Sequence, residues 1–226
     1  MTRRELTAVA LAAALLGTAS VGEARPVPSA RQADLLDRAV AVWAKVKTAR
    51  ATFEQTINNP LTGRTLTATG EYQQERPAKL AVRFADPAND RIVADGKFVW
   101  LYLPSSAPDQ VIKTAQGTSG TGTVDLTAQF LTAPRSRYNI EAVGTQVVSG
   151  RLTHGFNLVP KNTNGAPFLA ASVWIDDEDA TIRQFEVTDP SGVQRKVRLT
   201  SFKTNVPVDA KAFVFTPPSG VRVIAH

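Results

Sequence analysis

Few residues in this chain of 226 have the chemistry that catalysis or metal binding requires. The sequence contains no cysteine and only two histidines, His154 and the C-terminal His226. Thiolate nucleophiles, disulfides and cysteine-based metal centres are therefore excluded, and a site with several histidines is disfavoured. His154 lies in a segment with strand-like alternation, so we interpret it as a hydrogen-bonded structural residue rather than a ligand or a base.

The acidic and glycine-rich segments do not form a known catalytic or binding motif either. The four consecutive acidic residues 176–179 lack the alternating oxygen ligands and the glycine of a calcium-binding loop, so they predict a solvated hairpin tip. The glycines within 117–122 lack the spacing of a dinucleotide-binding turn and predict a loop. The sequence has no nucleophile elbow, phosphate-binding loop or zinc-protease motif. We therefore expect no enzyme activity, no cofactor and no metal site.

The overall charge and composition narrow the range of partners. The chain carries 26 lysines and arginines against 20 acidic residues, and its net charge of +6 favours acidic partners or anionic membrane surfaces. Aromatic residues make up 7% of the sequence and are not interleaved with basic clusters, so we expect no nucleic-acid partner. The hydrophobic fraction of 43% is that of a globular protein, and the length suits one domain of about 200 residues.

The first 24 residues have the three parts of a secretory signal. Arg3 and Arg4 precede an apolar run over 6–16, and small residues before the cut permit cleavage after Ala24. This run of 11 residues is too short to span a bilayer, which needs about 20. We therefore predict a cleaved signal peptide over 1–24 and one exported domain over 25–226. An uncleaved membrane anchor stays open, as does the choice between the general and the twin-arginine export routes.

Two segments have the pattern of helices. Apolar residues recur every three to four positions from Ala30 to Thr48, and this stretch has capping-box spacing at its start. A shorter segment over 124–132 carries the apolar residues Leu126, Phe130 and Leu131. The two helices could together cover one face of a sheet.

Elsewhere the apolar period is two, as expected for strands. The turn signals between these segments include Asp95-Gly96, which is typical of a tight hairpin. About a dozen strands and two helices predict a mainly β fold, in which a single large antiparallel sheet curls into an open or half-open barrel. The candidate strands are 51–58, 64–74, 78–84, 91–95, 97–103, 109–113, 138–148, 151–159, 168–176, 180–188, 193–202 and 211–215.

One predicted strand is unusual because the segment 98–103 is apolar at every position. Both of its faces must therefore be covered. The helices could cover one face, which leaves the other to a core or to a ligand. A plain buried strand and the wall of a ligand cavity both fit this pattern, and the sequence does not show which face would line a cavity.

Several segments, in order and at matching spacing, resemble the LolA family of periplasmic outer-membrane lipoprotein carriers. They are Gln-Gln-Glu-Arg-Pro at 73–77, Asp86-Pro87, and Ile-Val-Ala-Asp-Gly-Lys-Phe-Val-Trp-Leu-Tyr-Leu-Pro at 92–104. The ending over 213–223, which begins Phe-Val-Phe-Thr-Pro-Pro, is similar to the C-terminal signature of the family. The match is close over 50–104 and looser over 170–224.

The resemblance implies a half-open barrel of about eleven strands, whose mouth is covered by a lid of helices above an apolar cavity. It also implies a role: a periplasmic, monomeric chaperone accepts acylated lipoproteins from an inner-membrane lipoprotein-releasing ABC transporter. The chaperone then carries them to an outer-membrane receptor, LolB or an equivalent. Exported lipid or glycolipid carriers, and periplasmic domains that sense lipoproteins, use the same architecture, so these two functions stay open.

The resemblance assigns roles to particular residues as well. Arg76 occupies the position of the arginine that holds the lid closed, and its five donors could bind several lid carbonyls. The helix residues Leu126, Phe130 and Leu131 are predicted to belong to the lid. By strand alternation and by their place in the matched segments, the predicted residues of the acyl-chain cavity are Leu80, Val82, Phe84, Ile92, Phe98 and Trp100.

Overall fold

A single sheet of twelve strands dominates the computed structural model, which describes residues 30–117 and 125–225. The predicted signal peptide, most of the glycine-rich loop and His226 lie outside these residues. The strands are β1 (Thr48–Asn59), β2 (Arg64–Glu75), β3 (Lys79–Asp86), β4 (Arg91–Asp95), β5 (Phe98–Tyr102), β6 (Gln110–Ala115), β7 (Tyr138–Val148), β8 (Arg151–Pro160), β9 (Ala170–Asp176), β10 (Ile182–Thr188), β11 (Gln194–Thr204) and β12 (Arg222–Ala225).

Across the sheet the strands follow the order β12-β6-β5-β4-β3-β2-β1-β11-β10-β9-β8-β7, so β12 and β7 are the two edges. Leu80 on β3 and Phe156 on β8 belong to one core cluster although five strands lie between β3 and β8. The sheet must therefore curl toward itself, with the core on its inner face. The prediction of a curled, mainly β fold is confirmed.

The first eleven strands pair only with antiparallel neighbours among themselves, whereas β12 runs parallel to β6. The strand β12 was not predicted, and the prediction of an antiparallel sheet is wrong at this edge alone. A four-residue strand at the end of the chain has too few positions to show a period of two.

Three α-helices accompany the sheet in the described ranges: α1 (Ala30–Ala44), α2 (Leu126–Leu131) and α3 (Pro134–Arg137). No helix within those ranges is both long and apolar enough to cross a membrane. The prediction that the first helix continues to Thr48 is wrong. The chain turns at Lys45 and Val46, whose N–H groups bond to Val42 and Trp43, and Thr48 already pairs with Glu75 of β2.

The predicted strand 211–215 is also wrong, because Ala210–Phe213 forms a 3₁₀ helix that Asp209 caps. Ala212 and Phe213 are both buried against Ala81 of β3, whereas a strand would bury alternate residues. This helix belongs to the C-terminal strap, which we define as residues 206–218. The strap crosses the outer face of the sheet, and the chain then forms β12.

Candidate functional site

The inner face of β3 and β4 carries four of the predicted cavity residues. Leu80 and Val82 are buried in the main core, and Phe84 and Ile92 pack against it. Val82 lies opposite Ile92 in the register of the two strands, so their side chains share a face. The predicted alternation along β3 is therefore present, and it places an apolar surface toward the helices.

Phe98 and Trp100 lie on the opposite face, so the prediction that they line the same cavity is wrong. Their neighbour Val99 packs against the main core, and successive strand residues point to opposite faces. On the outer face Trp100 contacts Phe215 of the strap, with ring centroids 5.6 Å apart. The Nζ atom of Lys113 lies 3.7 Å from the centroid of the Phe98 ring. The fully apolar strand is thus partly covered on both faces, since all five of its residues are half-buried, and the chain's own C-terminal segment contributes to its outer cover.

We call α1 and α2 the lid, because both lie over the inner face. Five residues on one side of α1 and of the turn after it are buried in the core: Leu35, Leu36, Ala39, Trp43 and Val46. From α2, Phe130 and Leu131 are buried in the same core, and Phe130 contacts Phe168 and Phe185 with ring centroids 5.9 and 5.4 Å away. The backbone of Leu126 begins α2, and its side chain lies outside the described part. In this closed arrangement the lid's own side chains occupy the apolar interior over the predicted cavity wall.

Arg76, directly after β2, joins the two lid helices. Its Nη1 atom donates hydrogen bonds to the carbonyl oxygens of Trp43 (2.7 Å), in the last turn of α1, and of Val46 (3.0 Å), in the turn after it. Its Nε atom lies 2.8 Å from a carboxylate oxygen of Asp125, which caps the start of α2. The guanidinium also lies 5.1 Å from the centroid of the Trp43 ring. We call Arg76, Asp125 and the two carbonyl groups the latch.

The electrostatics of the latch are favourable at each contact. A cation at a helix C-terminus compensates the carbonyl groups that the last turn leaves unpaired. Asp125 has a side chain only 5% exposed, and one of its oxygens accepts the N–H of Ala128 at 2.8 Å. A carboxylate this buried needs a counter-charge, and Arg76 supplies it. Closing α1 and ordering the start of α2 therefore depend on the same guanidinium.

A polar pair on β2 lies beneath the latch. Tyr72 and Gln74 are buried, and the Tyr72 hydroxyl donates a hydrogen bond to the Gln74 side-chain oxygen. Burial, reinforced by the nearby Asp125 carboxylate, raises the pKa of Tyr72 above its ordinary value of 10, against the opposing effect of Arg76. The hydroxyl therefore stays protonated and remains a donor. Tyr72, Gln74 and Arg76 occupy alternate positions, so they form a line of polar groups along the inner face.

The acidic segment 176–179 is only partly the solvated tip that was predicted. Asp176 is 1% exposed, and its carboxylate bonds to Arg151 (2.7 and 3.0 Å) and Arg183 (3.0 Å). It also accepts the N–H groups of Glu178 and Asp179, which close the turn between β9 and β10. These two arginines are on neighbouring strands, so Asp176 lies at the centre of an ion network beneath the more exposed acidic residues of the tip. Nearby, His154 contacts Asp177 at 3.0 Å, while its Nδ1 atom is buried without a hydrogen-bond partner among the described residues.

A separate groove of about 710 Å³ lies over β1 and β7 to β11. Most of the lining residues alternate along their strands with core residues such as Val197 and Phe185, so their side chains point away from the core. The groove therefore lies on the outer face. The lining is largely polar, and Lys196 and Glu186 within it form an ion pair of 2.9 Å. Acyl chains would gain little there, so the apolar interior beneath the lid is the better candidate for an apolar ligand.

Sequence reasoning missed Asp125 and the two acceptor carbonyls. One signal was available, because an aspartate directly before an apolar helical segment is a common N-cap. Its ion pair with Arg76 has no sequence signal, since the two residues are 49 positions apart and the glycine-rich loop precedes Asp125. The carbonyl groups of Trp43 and Val46 become acceptors only because the helix ends there.

Comparison with known proteins identifies the family. The family model "Outer membrane lipoprotein carrier protein LolA" matches residues 44–216, about three quarters of the chain. The outer-membrane lipoprotein carrier protein of Methylibium petroleiphilum is 26% identical over 87% of this chain and 92% of its own length. That of Chromobacterium violaceum is 28% identical over 97% of this chain and 96% of its own.

Among solved structures, an uncharacterized conserved protein from Thermus thermophilus has a similar fold. Its TM-score is 0.52 at 14% sequence identity, over 86% of this chain and 98% of that one. The family match covers β1 to β11, the latch residues Arg76 and Asp125, and most of the strap. On this evidence, the chain belongs to the LolA family of outer-membrane lipoprotein carrier proteins.

Proposed function

We propose that this protein is a periplasmic chaperone that carries acylated lipoproteins from the inner membrane to the outer membrane. In this role it accepts each lipoprotein from an inner-membrane ABC transporter and passes it to an outer-membrane receptor, LolB or an equivalent. The observation that carries the proposal is the latch, in which Arg76 holds both lid helices over an apolar sheet face. The protein would act as a monomer, since one chain supplies the sheet, the lid and the latch.

The energetics suit a carrier. Burial of one methylene is worth about 0.8 kcal/mol, so a chain of about 15 methylenes gains about 12 kcal/mol relative to water. In the closed state the lid side chains already cover the inner face, so acyl chains would replace one apolar partner with another. The net free energy of exchange with a membrane or a receptor is then small. Closure of the latch, worth about 1.5 to 3 kcal/mol for each hydrogen bond to a charged group, can set the direction of delivery.

The latch contributes only to the empty, closed state if acyl chains displace the helices. It therefore favours release of cargo, because the protein regains these contacts when the receptor has taken the lipoprotein. The substitution Arg76→Leu removes these contacts from the empty, closed protein that remains after delivery, and it leaves the apolar interior in place. We expect the variant to take up lipoprotein and to retain it, with transfer to the receptor reduced roughly tenfold or more.

The test is a release-and-transfer assay. Purified protein is added to energised spheroplasts that hold labelled lipoproteins, and the soluble complex is then mixed with outer-membrane receptor. The matched control is Arg83→Leu, which removes an exposed arginine from the same sheet, and circular dichroism verifies that both variants fold. Wild-type transfer by the Arg76→Leu variant would contradict the role of the latch. Absence of lipoprotein release by the wild type would contradict the carrier function, and lipids bound in that sample would then indicate a free-lipid carrier.

A further inference from the structure

Helix α1 is attached to the sheet at a second point, away from the latch. Arg38, in the middle of the helix, donates hydrogen bonds to the backbone carbonyls of Asp177 (3.5 Å) and Glu178 (2.9 Å). These carbonyls belong to the turn between β9 and β10. Arg38 precedes Trp43 by five residues, which corresponds to about 8 Å along the helix axis. The two attachments therefore hold different turns of the same helix.

The turn that receives Arg38 is held in one conformation by its ion network. Asp176 lies beneath it, bonded to Arg151 and Arg183 and to the N–H groups of the turn itself. A hairpin turn can close without such a network. Between β10 and β11, the Asp189 carboxylate bonds to the N–H groups of Ser191 and Val193 and closes a comparable turn. The two arginines at Asp176 therefore do more than close a hairpin, because they fix the position of the carbonyls that Arg38 uses.

The two attachments differ in their exposure to a ligand. The latch borders the apolar interior, since Trp43 and Asp125 are buried. Arg38 is exposed, and its acceptors are backbone groups at the rim of the sheet. An acyl chain that enters the interior would displace the partners of Arg76 and would not reach Arg38. Ligand entry should therefore release one end of α1 and leave its middle attached.

We propose that Arg38 and the carbonyl groups of Asp177 and Glu178 form a pivot about which α1 opens when ligand displaces the latch. Arg38 is thus a second positioning residue of the lid, and this role rests on the proposed function. The pivot keeps α1 attached next to the inner face during loading. The helix can therefore re-form its closed contacts directly after the ligand leaves. The exposed ion pair between Asp37 and Arg135 (3.2 Å) lies beside it and joins α1 to α3.

The test measures backbone hydrogen exchange along α1, with a synthetic tripalmitoylated cysteinyl peptide as the probe. In the wild type, the peptide should speed exchange at residues 43–47 and leave residues 36–40 protected. In Arg38→Ala, the peptide should speed exchange at residues 36–40 as well, by about tenfold or more. Arg38→Lys should be intermediate, because an ammonium group can still donate to one carbonyl at a time. Lys45→Ala, which removes an exposed charge from the turn after α1, should behave as the wild type.

Two results would overturn the pivot. The first is equal exchange at residues 36–40 in the wild type and in Arg38→Ala when both are loaded with the peptide. The second is loss of protection at residues 36–40 in the loaded wild type. A failure of the proposed function gives a different result, because the wild type would then not bind the peptide at all. In that case the pivot is tested without ligand. Arg76→Leu should loosen residues 43–47 alone, and the double variant with Arg38→Ala should loosen 36–40 too; identical exchange in both would reject the pivot.

Discussion

The two faces of the sheet are covered by the same chain in different ways. The lid covers the inner face, where its helices bury apolar side chains and are held in addition by polar contacts at the latch and at Arg38. The strap covers the outer face with apolar side chains, which include Phe213 against Ala81 and Phe215 against Trp100 and Tyr102. Both ends of the strap are joined to strands, because β11 precedes it and β12 follows it.

Under the proposed function, this difference distinguishes a cover that moves from one that stays in place. Release of the lid breaks a few directional polar contacts, and acyl chains can replace the apolar surface that it buries. Release of the strap would expose aromatic side chains for which no substitute enters, and it would also remove β12 from the sheet edge. A movable cover therefore depends on contacts that a ligand can displace, and a fixed cover depends on apolar burial and on strand pairing.

The largest expected effect comes from Phe213→Ala in the strap. Phe213 is 3% exposed, and removal of a buried phenylalanine ring costs about 3 to 5 kcal/mol. We expect the free energy of unfolding in urea to fall by this amount. Hydrogen exchange at the latch through local opening of the lid should stay as in the wild type. The matched control is Val214→Ala, since Val214 is 69% exposed and should cost less than about 0.5 kcal/mol. Faster local opening of α1 in the Phe213 variant would mean that the two covers are coupled.

A smaller effect is expected on acidification, at the turn that holds Arg38. Burial acts to raise the pKa of Asp176, but bonds from Arg151, from the turn N–H groups and from Arg183 outweigh it and lower the pKa to about 2 from 3.8. A carboxylate whose pKa is lower in the folded state stabilises the fold above its unfolded pKa. This contribution, about 2 kcal/mol, is present above about pH 4 and is lost as the pH falls toward 2.

Urea unfolding at pH 4.5 and pH 2.5 measures this contribution as the difference between wild type and Asp176→Asn. The wild type should lose about 1.5 kcal/mol more than the variant over this interval, because part of the contribution still remains at pH 2.5. Parallel losses in the two proteins would show that Asp176 has an ordinary pKa.

The smallest expected effect is that of Asp125→Asn in the latch. An asparagine can still cap α2, so the substitution removes only the negative charge that pairs with Arg76. We expect a loss of about 1 to 2 kcal/mol in the closing of the lid, which corresponds to roughly tenfold faster exchange at the start of α2. Asp37→Asn is the control, because its ion pair with Arg135 is exposed and should contribute less than about 1 kcal/mol. If the two substitutions changed exchange at the start of α2 equally, the latch would be stabilised only by the hydrogen bonds of Arg76 to the two carbonyl groups.

Much of the fold could be predicted because strand alternation is a local signal. The eleven strands β1 to β11 were found within a few residues of their bounds, and the hairpin at Asp95-Gly96 has the aspartate accepting the N–H groups of Lys97 and Phe98. The candidate site was less predictable. Arg76 was identified by resemblance, whereas its partner Asp125 is distant in sequence. Phe98 and Trp100 were assigned to the wrong face because a strand that is apolar at every position has no alternation to distinguish its faces.

The sequence by itself determined the mainly β fold, the amphipathic first helix, the absence of cysteine chemistry and an apolar inner face on β3. These features depend on residue type and on periods of two to four residues, which fold locally in the same way wherever the segment lies. Only the tertiary structure decided that the strap covers β5, that β12 joins β6 in parallel, and that Arg76, Asp125 and the end of α1 meet. Contacts between residues so far apart in the chain arise from the curl of the sheet, and no local pattern records them.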